Sequence, residues 1–209
     1  MLKAIEKCFS IDSTGFSTSR LGVWIDHRYG KSKVTDKRKF LKAHLMCGVM
    51  TNIVTAVEVT DGNAGDSPYF KPLFETTAQN FSVKKVCMDN AYLSRENLTF
   101  ARNKGAMPFV PFKVNSKANA DPIWTRLFHF YTYNREWFER QYHKRSNSET
   151  TNMMIKMKFG ERIHSRTEVA QVNELLCKVV CHNICVTIQS MYVLGLQPNF
   201  WDSEDKEAA

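Results

Sequence analysis

The sequence predicts an α/β protein: a mixed β-sheet flanked by α-helices. Apolar runs of strand period and of helix period alternate along the chain. Their order reads strand, hairpin, helix, strand, helix, strand, then helices. Bulk composition agrees, since 209 residues that are 43% hydrophobic and 24% charged suit an ordinary globular protein with one substantial core.

Lys7 to Asp12 reads as the first strand, apolar towards its end and closed by the turn-prone Ser13-Thr14-Gly15. A basic segment follows from Lys31 to Lys42, which is either a contact to a DNA backbone or a solvated loop. His44 to Met50 and Ile53 to Val59 are β-rich runs around Thr51-Asn52, hence a hairpin. Asp61 to Gly65 is a loop by composition. Asp66-Ser67-Pro68 then starts a helix to about Gln79, with the acid as N-cap and the proline in the first turn. Val83 to Met88 is a short strand ending at Asp89. Arg95 to Asn103 is a helix stopped near Gly105, Pro108 to Phe112 a short edge strand, and 113–122 a loop or small insertion. From Ile123 the pattern is helical, and Ser165-x-x-Glu168 forms a capping box for a long helix to about Leu194. One domain is expected over 1–197, with a disordered acidic tail over 198–209.

Several function classes are excluded or disfavoured. No run approaches the ~18 apolar residues of a membrane span, and the stretch Cys177 to Leu196, interrupted by Lys178, His182, Asn183 and Gln189, reads as a buried helix. Met1 to Ser10 carries Lys3, Glu6 and Lys7 and is no export signal. Six cysteines without a Cys-x-x-Cys pair suit reduced thiols in the cytoplasm, and Cys177, Cys181 and Cys185, whose spacing beside His182 could also suggest a metal site, are expected to pack a core. His44 is expected to pack in its strand, and His143 to lie at the surface or near DNA, rather than either serving as a ligand. Trp124, Phe128, Phe130, Tyr131, Tyr133 and Trp137 read as core aromatics rather than base-stacking platforms. The net charge of +8 favours a polyanionic partner, and without a basic amphipathic helix that partner is nucleic acid rather than a membrane.

Asp12 and Asp89 both end apolar strands, where an acid is either an ordinary turn residue or one of a set converging at a sheet edge. The segment Tyr142 to Lys156 sharpens the choice. On an α-helix at ~100° per residue, Tyr142, Arg145, Glu149 and Lys156 fall within an arc of roughly 60°, in a stripe roughly 20 Å long. Two cations and a phenol suit phosphates, and a carboxylate suits a metal at the phosphate being cut. A solvated helix face with an Arg145–Glu149 pair explains the same stripe.

The spacing Tyr-x2-Arg-x3-Glu-x6-Lys at Tyr142, Arg145, Glu149 and Lys156 resembles the signature of the DDE-type transposases of insertion sequences. Ile11-Asp12-Ser13-Thr14-Gly15 is similar to that family's first-aspartate motif, and Met88-Asp89-Asn90-Ala91-Tyr92 to its second. The hairpin leading into Thr60 to Asp66 is similar to the family's second and third strands. The likeness runs from about Phe9 to Leu194. It implies an RNase H-like fold, Asp12, Asp89 and Glu149 as catalytic, metal-binding residues, and Tyr142, Arg145 and Lys156 as contacts to DNA. It further implies two Mg²⁺ or Mn²⁺ ions, since an all-oxygen ligand set suits hard cations rather than zinc.

The activity so implied is hydrolysis at transposon ends followed by strand transfer of the freed 3′-hydroxyl into target DNA. The expected assembly is a homodimer pairing two ends, with neither a membrane nor a small-molecule substrate involved. The expected location is the cytoplasm of a prokaryote, at the nucleoid. The alternatives are a remnant that binds DNA without cutting and another RNase H-like nuclease. The family's N-terminal DNA-recognition region is expected to be absent. The interval from Asp89 to Glu149 leaves no room for the large β-rich insertion of some relatives, which puts a hairpin-ended intermediate in doubt.

Overall fold

A computed structural model describes residues 2–18 and 40–195 of the chain. Most of the basic segment from Lys31 onward and the acidic tail therefore lie outside the described residues. A short helix, α1 (Leu2–Ile5), precedes strands β1 (Cys8–Ser17), β2 (Phe40–Gly48) and β3 (Val54–Asp61). Then come α2 (Phe70–Asn80), β4 (Lys85–Met88), α3 (Arg95–Asn103) and β5 (Met107–Phe109). Four helices close the chain: α4 (Pro122–Tyr133), α5 (Arg135–Tyr142), α6 (Ser146–Phe159) and α7 (Glu168–Val193).

The strands form one sheet in the order β3-β2-β1-β4-β5. The first three pair antiparallel, and β4 and β5 run parallel to β1. This is the mixed sheet flanked by helices that the sequence predicts. Alternation along β1 divides the core in two. Phe9 and Ile11 join Phe70, Leu73, Phe74 and Leu98 beneath α2 and α3. Phe16 points the other way and packs with Leu45 of β2 and with Ile155, Leu175 and Val179 of α6 and α7. Each such fully buried apolar side chain contributes about 1.5–3 kcal/mol relative to exposure.

Five local expectations need correction. First, β1 does not stop at Ser13-Thr14-Gly15. Ser13, Thr14 and Gly15 pair with His44, Ala43 and Lys42, so sheet pairing overrides their turn propensity. Second, Asp66 occupies the N-cap position of the 3-10 turn Ser67–Tyr69 but makes no capping hydrogen bond. Its carboxylate instead meets Lys42 and His44. Third, the long C-terminal helix is capped by Thr167, which accepts from the Ala170 N–H, and not by Ser165. Glu174 has taken the Ser165 and His164 N–H groups.

Fourth, Tyr142 to Lys156 is not one α-helix. A 3-10 turn at His143–Arg145 separates α5 from α6, and the hydroxyls of Ser146 and Ser148 bond back to the carbonyls of His143 and Arg145 there. Fifth, Cys177, Cys181 and Cys185 are exposed, as are Val180, Ile184 and Ile188. The face of α7 that meets the sheet is Leu175, Val179, His182 and Val186, on the opposite side at 3.6 residues per turn. By length and composition α7 would suffice to cross a membrane, and only 22% of its most apolar window is buried.

The hairpin turn after β2 is built around a buried acid. Glu6 is 1% exposed, and its Oε2 accepts from the N–H groups of Met50 and Thr51 and from the Thr51 hydroxyl. A Cβ on Gly48 would lie 2.5 Å from that same oxygen, so any larger residue there would displace Glu6 from the turn. Asn52 takes the left-handed conformation the turn needs, at φ 57°.

Candidate active site

The register of β1 against β4 aligns two of the three acids. Ile11 pairs with Met88 in parallel, so the next residues stand side by side, Asp12 still within β1 and Asp89 just past the end of β4. Strand neighbours stand ~4.8 Å apart, close enough for both carboxylates to serve one phosphate. Asp12 lies on the same face as Phe16, beneath α6. Asp89 follows β4 and accepts from the Asn90 N–H at 2.5 Å, capping the turn Asn90–Tyr92.

Glu149 arrives from the first turn of α6, and Arg145 joins it to Asp12. The guanidinium Nη1 lies 3.8 Å from Asp12 Oδ1, while Nη2 donates to Glu149 Oε1. Asp12 Oδ2 accepts from Asn152 Nδ2 at 3.1 Å. Tyr142 completes the group, with its ring centroid 6.0 Å from the Arg145 guanidinium. Burial works against the charge on Arg145, but Tyr142, Asp12, Glu149 and Asp89 together hold its pKa above the usual value. Of the six residues singled out by sequence, four thus gather around a fifth, Arg145.

The electrostatics show a site crowded with negative charge. Burial raises the Asp12 carboxyl to about 6, with Glu149 and Asp89 adding to the rise and Arg145 and the Ser13 N–H opposing it. Burial likewise raises the Tyr142 phenol, helped by Asp89 and Glu149 against Arg145.

Lys156 stands apart, about two helical turns beyond Glu149 on α6. Its ammonium lies 5.5 Å from the Phe16 ring and 3.3 Å from Glu161 Oε1. Burial lowers its pKa despite Glu161. A phosphate at Lys156 has to compete with that carboxylate.

Sequence reasoning missed two features. Asn152 sits one turn after Glu149, a spacing that carries it to the same side of α6 and was legible as such. Its amide bonds Asp12, and its Oδ1 is buried without a hydrogen-bond partner among the described residues. The other is the cluster behind β1. Lys42 Nζ stands 2.8 Å from Asp66 Oδ1 and also donates to the Ala64 carbonyl at 2.8 Å. His44, fully buried, places Nδ1 3.2 Å from the same Asp66 oxygen and Nε2 3.1 Å from Thr60 Oγ1, and stacks on Tyr69. Lys42 is therefore an internal cation and not part of a DNA-facing segment. Burial, then Asp66 and Asp12, push the enclosed Tyr92 phenol well above its ordinary value, so the cluster is felt as far as β1.

Among the described residues, no group of three His, Cys, Asp or Glu side chains stands placed to hold a single ion. Arg145 occupies the space between Asp12 and Glu149. The donors nevertheless fit a hard divalent cation. They are all oxygens, two come from adjacent strands, and the unpartnered carboxamide oxygen of Asn152 lies beside Asp12.

Comparisons with known proteins bear on the family and the fold. No curated protein sequence matches the chain. Among solved structures, the fold is similar to a piggyBac transposase synaptic complex with hairpin DNA, determined by cryo-EM, at a TM-score of 0.50 and 9% identity. That match covers 92% of this chain but 49% of the piggyBac chain, so the chain spans about half the length of the transposase it resembles. The family described as transposase DDE domain matches residues 3–184, a stretch holding every strand of the sheet, Asp12, Asp89 and Glu149. On that match the chain belongs to the transposase DDE domain family, whose chemistry depends in general on divalent metal.

Proposed function

We propose that this chain is the catalytic domain of a DNA transposase that cuts at transposon ends and joins the freed 3′-hydroxyl to target DNA. The observation that carries the reading is the β1/β4 register, which sets Asp12 beside Asp89 while Arg145 draws Glu149 to them. Asp12, Asp89 and Glu149 would hold two Mg²⁺ or Mn²⁺ ions, with Asn152 orienting Asp12. Such ions supply an activated nucleophile at neutral pH and neutralise the leaving oxyanion.

The protein's own groups account for the rest. Without ions, Arg145 balances the acids. With cations on the carboxylates, its guanidinium would be free to meet the DNA, where a planar fork suits a phosphate. Tyr142 adds a hydroxyl beside it, and Lys156 a cation further along α6. Two element ends call for two copies of the site, so the species expected on DNA is a homodimer, which light scattering of the complex would reveal as two chains.

The test is cleavage of a duplex carrying the element's terminal repeat. Nicked product should form with Mg²⁺ or Mn²⁺ and not with EDTA, and joined products should appear when target DNA is added. Cleavage that survives EDTA would remove the metal assignment. A complete lack of cleavage with bound DNA would favour a non-cutting role.

A pH dependence follows from Asp12. Its folded pKa of about 6 means that the metal-free site keeps a proton on this carboxyl at pH 5 and has lost it by pH 7. A cation competes with that proton. At subsaturating Mn²⁺, initial cleavage rates should therefore rise by about tenfold per pH unit below 6 and level off above it. A flat profile between pH 5 and 7 would contradict the role of Asp12.

A further inference from the structure

A second cationic surface lies one strand-length from the carboxylates. Lys7, Lys84, Lys85 and Lys144 line a shallow cleft together with Glu6, Cys8 and Val49. None of these four lysines has an ion pair among the described residues, unlike Lys42, Lys71, Lys104, Lys156 and Lys178. The one acid in the lining, Glu6, is buried and already committed to the hairpin turn. Lys85 and Lys144 both donate to Gln141 Oε1, at 3.0 and 3.2 Å, so two ammonium groups converge on one neutral oxygen. Lys85 also lies 5.9 Å from the ring of Trp137, which remains 40% exposed. Like charges brought together without a counter-charge are unfavourable until an anion spans them.

The position of this surface indicates which anion. Lys85 begins the strand that ends beside Asp89, and Lys144 immediately precedes Arg145. At ~3.3 Å per strand residue, Lys85 stands about 13 Å from Asp89, which a duplex spans in about four base pairs. Lysines act as compact point charges and contact phosphates irrespective of sequence. We propose that Lys7, Lys84, Lys85 and Lys144 form a second phosphate-binding surface that grips duplex DNA of arbitrary sequence about four base pairs from the bond cut. This rests on the reading of Asp12, Asp89 and Glu149 as the site of DNA cleavage.

The test is binding of a random-sequence 20-base-pair duplex to the full chain in EDTA, read by fluorescence anisotropy across a salt series. The triple variant Lys84→Gln, Lys85→Gln, Lys144→Gln should lower the slope of log K against log salt by about 1 for each lysine removed, and weaken binding at least tenfold at low salt. The control triple Lys71→Gln, Lys104→Gln, Lys113→Gln should change binding less than threefold, and the corresponding Lys→Arg triple should retain it. A slope unchanged from wild type in a folded Gln triple overturns the proposal. If wild type still cuts DNA in that case, the cleavage site stands and the second surface falls. A wild-type chain that binds no DNA at all would overturn both.

Discussion

Glu149→Gln and Asp12→Asn are each expected to reduce cleavage by roughly a thousandfold or more, because each removes an anionic oxygen on which the cations' charge and position depend. The two variants should differ in stability, which separates a chemical role from a structural one. Glu149 is largely exposed, and its ion pair among the described residues is with Arg145, so Glu149→Gln should leave the unfolding midpoint nearly unchanged. Asp12 is half-buried, with 17% of its side chain exposed, and its pKa is raised in the fold to about 6. A carboxyl raised in this way contributes stability below its unfolded value and loses it as pH rises through 6. Above that pH the metal-free protein carries a destabilising charge. Asp12→Asn should therefore melt at or above the wild-type temperature at pH 8 in EDTA while being inactive in Mg²⁺. Asn152→Ala, which only loosens Asp12, should lose about 10–100-fold in activity. Cleavage by Glu149→Gln at near wild-type rate would end the assignment.

These contrasts also show where the sequence was readable. The alternation that marks Phe9 and Ile11 as core also places Asp12 on the opposite face of β1, and the i, i+4 spacing of Arg145 and Glu149 is a local property. The adjacency of Asp12 and Asp89 is not local. It depends on a parallel register between strands far apart in sequence, which no window of residues encodes. Ser13-Thr14-Gly15 has turn propensity, but a full partner strand held it extended. In α7 both faces are apolar, so hydropathy had no means of telling the Leu175 face from the Cys177 face. Asp66 reads as a helix cap because the residues following it fit one. The competing partners, the Lys42 ammonium and the His44 ring, come from a strand more than one element away.

Removing a partner from that last cluster should give the largest stability loss. Lys42 is 7% exposed, and the Asp66 carboxylate it meets is nearly as enclosed. Burial by itself would raise the Asp66 carboxyl, yet hydrogen bonds from His44, Lys42 and Ser13 hold it far below the ordinary carboxylate range. The sign is therefore opposite to that of Asp12. The Asp66 contribution is present above the unfolded value near 3.8 and is lost as pH falls below it. Lys42→Met should leave a buried anion with His44 as its remaining ionisable neighbour and cost about 3–5 kcal/mol, since stranding one member of a buried pair is worse than replacing both. In a chain of this size that corresponds to a fall of about 10 °C in the melting midpoint. Restoring neutrality with Lys42→Met plus Asp66→Leu should recover much of the loss. Because Tyr92 feels both Asp66 and Asp12, the single variant should also lose cleavage at temperatures where it is still folded, whereas a surface pair such as Lys71 and Glu96 should tolerate removal at under about 1 kcal/mol. If urea unfolding places Lys42→Met within 1 kcal/mol of wild type, the cluster is not what holds β1, β2 and the Asp66 loop together, and the rigidity of Asp12 must come from α6 alone.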